Sequence, residues 1–228
     1  MKVSILMPVY NEESTLKKIL KKINEADIGG VKKEIVIIDD GSTDKTIQIL
    51  NNLKQDNIKI YYNKNNKGKG YSIKKAIRKA SGNIIIFQDA DLEYDPNDYK
   101  KLLDSIIHGD NDVVYGSRFL KGNIKGKISF YLGNKILSLI TSMLYFSRIT
   151  DMETCYKVFK KDIIKNIKIK SNDFAIEPEI TSRILKQNIK IKEVSISYYP
   201  RTFNQGKKIK WKDGLIALKT LVYYRFFN

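Results

Sequence analysis

The sequence predicts an α/β fold, a mostly parallel, Rossmann-like central sheet flanked by helices. Three observations predict it. Apolar runs of strand length alternate with helical patterns through the first half of the chain. Several runs are continuously apolar, as strands covered on both faces are. Polar residues collect just after the runs, at the strand ends where an open α/β sheet keeps its ligands.

Each element has its own signal. Val3 to Val9 reads as a strand, and Leu16, Ile19, Leu20 and Ile23 then mark one face of a helix, with Asn11 or Ser14 as N-cap. Residues 34–39 form a second strand, followed by a helix capped by Ser42 or Thr43. Residues 58–62 are a third strand, and the next helix is stopped by Gly82. Residues 83–88 are a fourth strand, and Pro96 starts the helix carrying Tyr99, Leu102, Leu103, Ile106 and Ile107. Residues 112–118 are a fifth strand. In the second half, 128–146 is apolar and helical, and 174–188 is a helix with Pro178 in its first turn. Residues 189–200 alternate as a strand does, and the stretch from Trp211 to Phe227 is helical. Neither a repeat nor a linker divides the 228 residues, so one domain is expected over 1–228.

Composition narrows the chemistry. His108 is the only histidine and Cys155 the only cysteine, which excludes a disulfide, the common zinc sites and a Cys-His pair. His108 precedes Gly109 and reads as a helix C-cap. A lone cysteine and a core strand at the very start fit a reducing, cytoplasmic setting. The net charge is +17, and residues 116–149 and 201–228 supply +12 of it. A localised positive face calls for an anionic partner. Nucleic acid is not expected, since no basic helix or RNA-binding signature appears and the strand-end acids repel phosphate unless metal is bound.

Those acids are the sharpest feature. Asp89-Ala90-Asp91 follows the fourth apolar run, and two carboxylates one residue apart at a strand end suit Mg²⁺ or Mn²⁺. Mg²⁺ usually takes one or two protein carboxylates and fills its shell with phosphate oxygens and water, so metal plus diphosphate is the natural complex. Neither G-x-G-x-x-G nor a Walker A sequence is present. The stretch Asn66-Lys67-Gly68-Lys69-Gly70 reads either as a backbone approach to a ligand or as a plain helix-start turn.

Five stretches in order, "SILMPVYNEESTL", "IVIIDDGSTDKT", "NKGKGYSIKKA", "IIIFQDADLEYDP" and "VVYGSRF", resemble the inverting family-2 glycosyltransferases. With "DMETCYKVFK" and "PRTFNQGKKI", the chain looks most like the dolichyl- or polyprenyl-phosphate sugar synthases. The resemblance implies a nucleotide-diphospho-sugar transferase fold of GT-A type. It implies that 1–120 form a nucleotide-sugar-binding half and 121–228 an acceptor-binding half. Pro8, Tyr10, Glu12, Ile37 and Asp39 would line base and ribose, and Asp89, Ala90 and Asp91 would meet ribose and diphosphate. Asp91 would ligate the metal, with Glu93 as second ligand. Arg118, Arg201 and Lys207 would bind donor or acceptor phosphates, and the catalytic set would be Asp89, Asp91 and Arg118.

The implied reaction moves a hexosyl unit from GDP-mannose or UDP-glucose to a polyprenyl or dolichyl phosphate. A phosphate monoester is largely ionised at neutral pH and needs no general base. A soluble saccharide acceptor is the alternative; it requires a carboxylate base, for which Asp151 and Glu153 are the candidates, unless they are acids of a capping turn. Residues 136–147 are too short an apolar run to span a bilayer. That run and the 211–228 segment fit helices lying at a membrane surface, or packed on the core or a partner subunit. A peripheral position on the cytoplasmic face of a membrane is therefore expected.

Overall fold

The computed structural model describes residues 1–120, 127–202, 206, 208 and 211–227. Seven strands form one sheet: β1 Lys2–Val9, β2 Lys32–Asp39, β3 Ile58–Tyr62, β4 Ile84–Phe87, β5 Val113–Ser117, β6 Lys157–Lys160 and β7 Ile191–Ser195. Their order is β3-β2-β1-β4-β6-β5-β7. All neighbours pair in parallel except around β6, which is antiparallel to both β4 and β5.

The helices are α1 Leu16–Glu25, α2 Thr46–Asn51, α3 Lys69–Lys79, α4 Tyr99–Ile107, α5 Ile128–Tyr145, α6 Lys161–Asn166, α7 Ile176–Lys186 and α8 Trp211–Phe226. A short 3₁₀ turn, Pro96–Asp98, leads into α4. Ile5, Leu6 and the whole run Ile35 to Ile38 are inaccessible to water, which is why these strands carry no polar alternation. Burying each such side chain contributes roughly 1.5–3 kcal/mol before conformational entropy is subtracted. One core cluster joins the sheet to its flanking helices. A smaller one, around Leu137, Tyr145, Met152, Leu185 and Leu221, sits under α5, α7 and α8.

The antiparallel strand is the feature that shapes the site. The end of β4 reaches the same edge as those of β1 and β5. Because β6 runs the other way, it starts at that edge, with Lys157 opposite Tyr115. The preceding residues, 151–156, are thereby delivered to the carboxyl ends of the parallel strands. Sequence patterning shows neither β6 nor α6.

Local readings are corrected in three places. No side chain caps α1 or α2, whose N-caps are Thr15 and Lys45. Asn11 and Ser42 instead tie the β1 and β2 loops together: the Asn11 N–H donates to Ser42 Oγ at 3.0 Å, and the Thr43 N–H donates to Asn11 Oδ1 at 2.8 Å. Gly82 does not stop α3, which ends at Lys79; a Cβ there would lie 2.7 Å from the Ser4 amide, so the glycine serves close approach to β1. The alternation over 189–200 yields only a five-residue strand, followed by an isolated bridge from Tyr198 to Tyr94. His108 is the C-cap of α4, as expected.

Candidate active site

A cavity of about 650 Å³ opens at the carboxyl edge of the sheet. Pro8 near the end of β1, Tyr10 and Glu12 after it, Asp89, Ala90, Asp91 and Glu93 after β4, Arg118 after β5 and Arg201 after β7 all line it. Four strand ends thus converge, as the order of the sheet requires. Two expected residues stand elsewhere. Ile37 is fully buried in the core cluster. Asp39 is also buried; its Oδ2 accepts the Gly41 and Ser42 N–H groups at 3.2 Å, while Oδ1 has no hydrogen-bond partner. Asp40, its neighbour, is the one on the cavity wall. Lys207 lies outside the described residues; its neighbour in sequence, Lys208, lines the cavity.

The Asn66–Gly70 stretch resolves as a turn. Its Lys67 and Gly68 N–H groups donate to the Asp40 carboxylate at 3.1 and 2.8 Å, so they are spent inside the protein. Gly68 has φ +95°, and a Cβ would stand 2.3 Å from the Asn172 carbonyl oxygen. What the turn delivers is Lys69. Its Nζ lies 2.8 Å from Asp89 and 3.0 Å from Glu177. Glu177 in turn pairs with Lys157 at 2.5 Å. Four alternating charges therefore link β4, α3, α7 and β6, and sequence reasoning assigned a role to only the first.

Asp89 and Asp91 differ because their neighbours differ. Burial disfavours the charge of Asp89, but Lys69 outweighs it and holds the carboxyl below its usual range. Asp91 is pushed up to about 7, chiefly by burial and then by the Asp89 charge, with Arg201 opposing. A carboxylate so placed is short of positive charge. Asp91, Glu93 and Glu12 are hard oxygen donors, which fits Mg²⁺ or Mn²⁺ and not a soft metal. Among the described residues, no three His, Cys, Asp or Glu side chains form a ready cation cage.

Glu93 is already engaged. It accepts the Arg201 N–H at 2.7 Å and the Tyr198 hydroxyl at 3.2 Å. Arg118 is held still more firmly. Its Nε and Nη2 donate to the two oxygens of Asp151 at 2.7 Å, and its backbone N–H adds a third bond at 2.9 Å. Asp151 is inaccessible to water, so it is the counter-ion of Arg118 and not a base facing a substrate. Glu153 does line the cavity, with a buried Oε1 that has no partner. Burial pushes its carboxyl up to about 7, into the range of a working acid or base. Burial and the Asp89 charge raise the Cys155 thiol far above its ordinary value, which leaves it inert.

On one side the cavity runs between α5 and α8, where Phe130, Tyr131, Leu137, Trp211 and Ala217 line it. These helices pack through Leu137, Ala217 and Leu221, with the Tyr145 hydroxyl donating to the Leu221 carbonyl at 2.8 Å. Outward, α5 exposes Ile128, Leu132, Ile136, Leu139, Met143 and Phe146 in steps of three and four, and α8 exposes Trp211, Leu215, Val222, Tyr223 and Phe226. No described helix is long and apolar enough to cross a membrane.

Comparison with known proteins gives the same picture. The chain is 28% identical over 214 residues to the dolichol-phosphate mannosyltransferase of Pyrococcus furiosus, covering 91% of this chain and 59% of that protein. It is 28% identical over 203 residues to the low-salt glycan biosynthesis hexosyltransferase Agl6 of Haloferax volcanii, covering 87% and 48%. It thus spans about half the length of these relatives. Among solved structures, glucosyl-3-phosphoglycerate synthase from Mycobacterium tuberculosis with UDP superposes with a TM-score of 0.75 at 15% identity, covering 98% of this chain and 80% of that one. S. aureus TarS 1–349 with UDP-GlcNAc gives 0.66 at 17%, covering 98% and 66%. These likenesses show the fold, which is of GT-A type. One family profile, glycosyl transferase family 2, matches residues 4–168. A match over that share of the sequence places the chain in glycosyl transferase family 2.

Proposed function

We propose that the protein transfers a hexosyl residue from a nucleoside-diphosphate sugar to a polyprenyl or dolichyl phosphate, with a divalent cation. One observation carries the reading: a single cavity joins the carboxylates after β4, past Arg118, Arg201 and Lys208, to an apolar channel between α5 and α8. The first half suits a charged donor, and the second suits an acceptor with an anionic head and a hydrocarbon tail. The name of the Pyrococcus relative supports this acceptor class. The Mycobacterium neighbour, solved with Mn²⁺, UDP and phosphoglyceric acid, supports a metal-assisted donor site.

The roles follow from position. Pro8, Tyr10 and Glu12 border the nucleotide end. Asp39, with its unpartnered oxygen at the end of β2, is assigned to the base or ribose. Asp89, fixed by Lys69, accepts hydrogen bonds from ribose or sugar hydroxyls. Asp91 would hold Mg²⁺ or Mn²⁺, with Glu93 as a second ligand once its present partners give way. Bound there, such an ion would neutralise the charge that develops on a departing diphosphate. Arg118, oriented by Asp151, and Arg201 and Lys208 from the segment after β7 are assigned to phosphate oxygens. An ionised lipid phosphate attacks without a base, so the one histidine, away at the end of α4, costs the mechanism nothing.

We infer that the outer faces of α5 and α8 rest on a membrane. Phe146 is 86% exposed and Trp211 71%, and Arg148, Lys212 and Lys219 flank them in the open. Amphipathic helices with an aromatic and basic border bind interfaces in this way.

A second reading rests on Glu153. Its unpartnered oxygen and raised pKa suit a base for a hydroxyl acceptor. Incubation with labelled GDP-mannose or UDP-glucose and either polyprenyl phosphate or soluble saccharides separates the two. Label passing into the organic phase, and persisting in Glu153→Gln, is the expected result. Label found only on saccharides, and lost in Glu153→Gln, would establish the second reading instead.

A further inference from the structure

Arg201 occupies an unusual position for a phosphate-binding residue. Its Nη2 lies 2.6 Å from Asp91 Oδ2, its Nη1 3.3 Å from Glu12 Oε2, and its Nε 3.8 Å from Glu93 Oε1. One guanidinium therefore serves carboxylates from the ends of both β1 and β4. The fit is imperfect, since Nε is buried without a hydrogen-bond partner. Arg201 also lies outside regular secondary structure, whereas Lys69, which plays the same part for Asp89, is the first residue of α3. The two cations on the Asp89-Ala90-Asp91 triplet thus differ in kind: one is built into a helix, and the other comes from a loop.

Asp91 Oδ2 cannot serve two cations well at once. A divalent ion on this oxygen would stand within a few ångströms of the guanidinium, and two positive charges so close repel strongly in a shielded site. A guanidinium, unlike an ammonium, has a fork that matches two phosphate oxygens. Lys208 Nζ, 2.9 Å from Glu12 Oε1, continues to balance Glu12 when the guanidinium leaves.

We propose that Arg201 is a resident counter-cation on Asp91 that a divalent ion must displace, and that a diphosphate group supplies the site to which the guanidinium moves. The inference rests on reading this cavity as the seat of a nucleoside diphosphate and a metal ion. It makes metal and nucleotide a coupled pair. The ion alone competes with Arg201; the ion with a diphosphate does not. By linkage, each tightens the other by the same factor.

The test follows free Mn²⁺ by its electron paramagnetic resonance signal, in wild type and Arg201→Met, with and without UDP or GDP. Wild type is expected to bind Mn²⁺ about tenfold more tightly when its preferred nucleotide is present, a coupling of ordinary size. Arg201→Met is expected to bind Mn²⁺ alone more tightly than wild type, and to gain less from nucleotide. Arg201→Lys keeps the charge without the fork and guards against a folding defect; it is expected to bind Mn²⁺ alone about as wild type does and to gain less from nucleotide. If Arg201→Met binds Mn²⁺ alone no better than wild type, while nucleotide sharpens binding equally in all three proteins, the cavity reading stands and the role of Arg201 is refuted. If no protein binds Mn²⁺ with either nucleotide, the reading of the cavity fails and the inference falls with it.

Discussion

Lys69 Nζ stands 2.8 Å from Asp89 Oδ1, so the first residue of a helix neutralises the first carboxylate of the strand-end triplet. Glu177 and Lys157 extend the pair into a chain with no net charge. Removing one member strands the others in a buried setting. Lys69→Met is predicted to lower stability by about 3 kcal/mol, the usual cost of breaking a buried ion pair on one side. Urea unfolding measures it. Lys69→Arg should recover part of the loss, and a Lys69→Met protein as stable as wild type would refute the account of this chain.

Arg118 and Asp151 form the second closed unit. Because they act together, Asp151→Asn and Arg118→Ala should each destabilise the protein, while the double variant loses much less than the sum. A coupling of about 2 kcal/mol is expected for contacting charged residues. A double-mutant cycle in urea gives this number directly. Simple additivity would show that Asp151 does something other than hold Arg118.

Glu153 makes a prediction about pH. Its carboxyl is pushed up to about 7 by burial, with Lys157 opposing and Glu177 adding to the shift. In the unfolded chain a glutamate titrates near about 4.3. Between those values the folded state keeps a proton that the unfolded state has released, so stability falls as pH rises and levels off above 7. Asp91 acts in the same direction. Glu153→Gln removes its own contribution, and its advantage over wild type should grow by about 2 kcal/mol between pH 5 and pH 8. Urea midpoints at the two pH values test this, and a constant difference would contradict it.

Much of this was legible in the sequence, and the remainder was hidden for identifiable reasons. Val3 to Val9 and Ile84 to Phe87 announce buried parallel strands through unbroken apolar runs, and Asp89-Ala90-Asp91 then marks the ligand edge. By contrast, β6 has only four residues and contains Lys157, which is wholly buried. A charged residue in so short a run reads as surface until its partner is known, and Glu177 is twenty residues away. Lys69 was hidden similarly, since its partners Asp89 and Glu177 come from distant elements. The resemblance brought Ile37 into the site, and its side chain is fully buried in the core. For Asp151 and Glu153, two acids of one loop, only the position of Arg118 tells counter-ion from cavity wall.

The α5/α8 face carries a prediction that folding does not confound. Met143 and Phe146 are 67% and 86% exposed, so charged replacements there should change stability by no more than about 0.5 kcal/mol. Met143→Glu with Phe146→Glu is nevertheless expected to reduce flotation with anionic liposomes severalfold at low salt. Equal flotation of variant and wild type, or recovery of wild type independent of lipid, would remove the proposed membrane contact.

The most direct test is thermal unfolding with UDP or GDP, with and without Mn²⁺, in wild type and Asp91→Asn. A nucleotide at about a hundred times its dissociation constant should raise the midpoint by about 5 °C. The account predicts that rise in wild type only when Mn²⁺ is present, and its loss in Asp91→Asn. An equal rise in Asp91→Asn, or in wild type with the metal chelated, would contradict it.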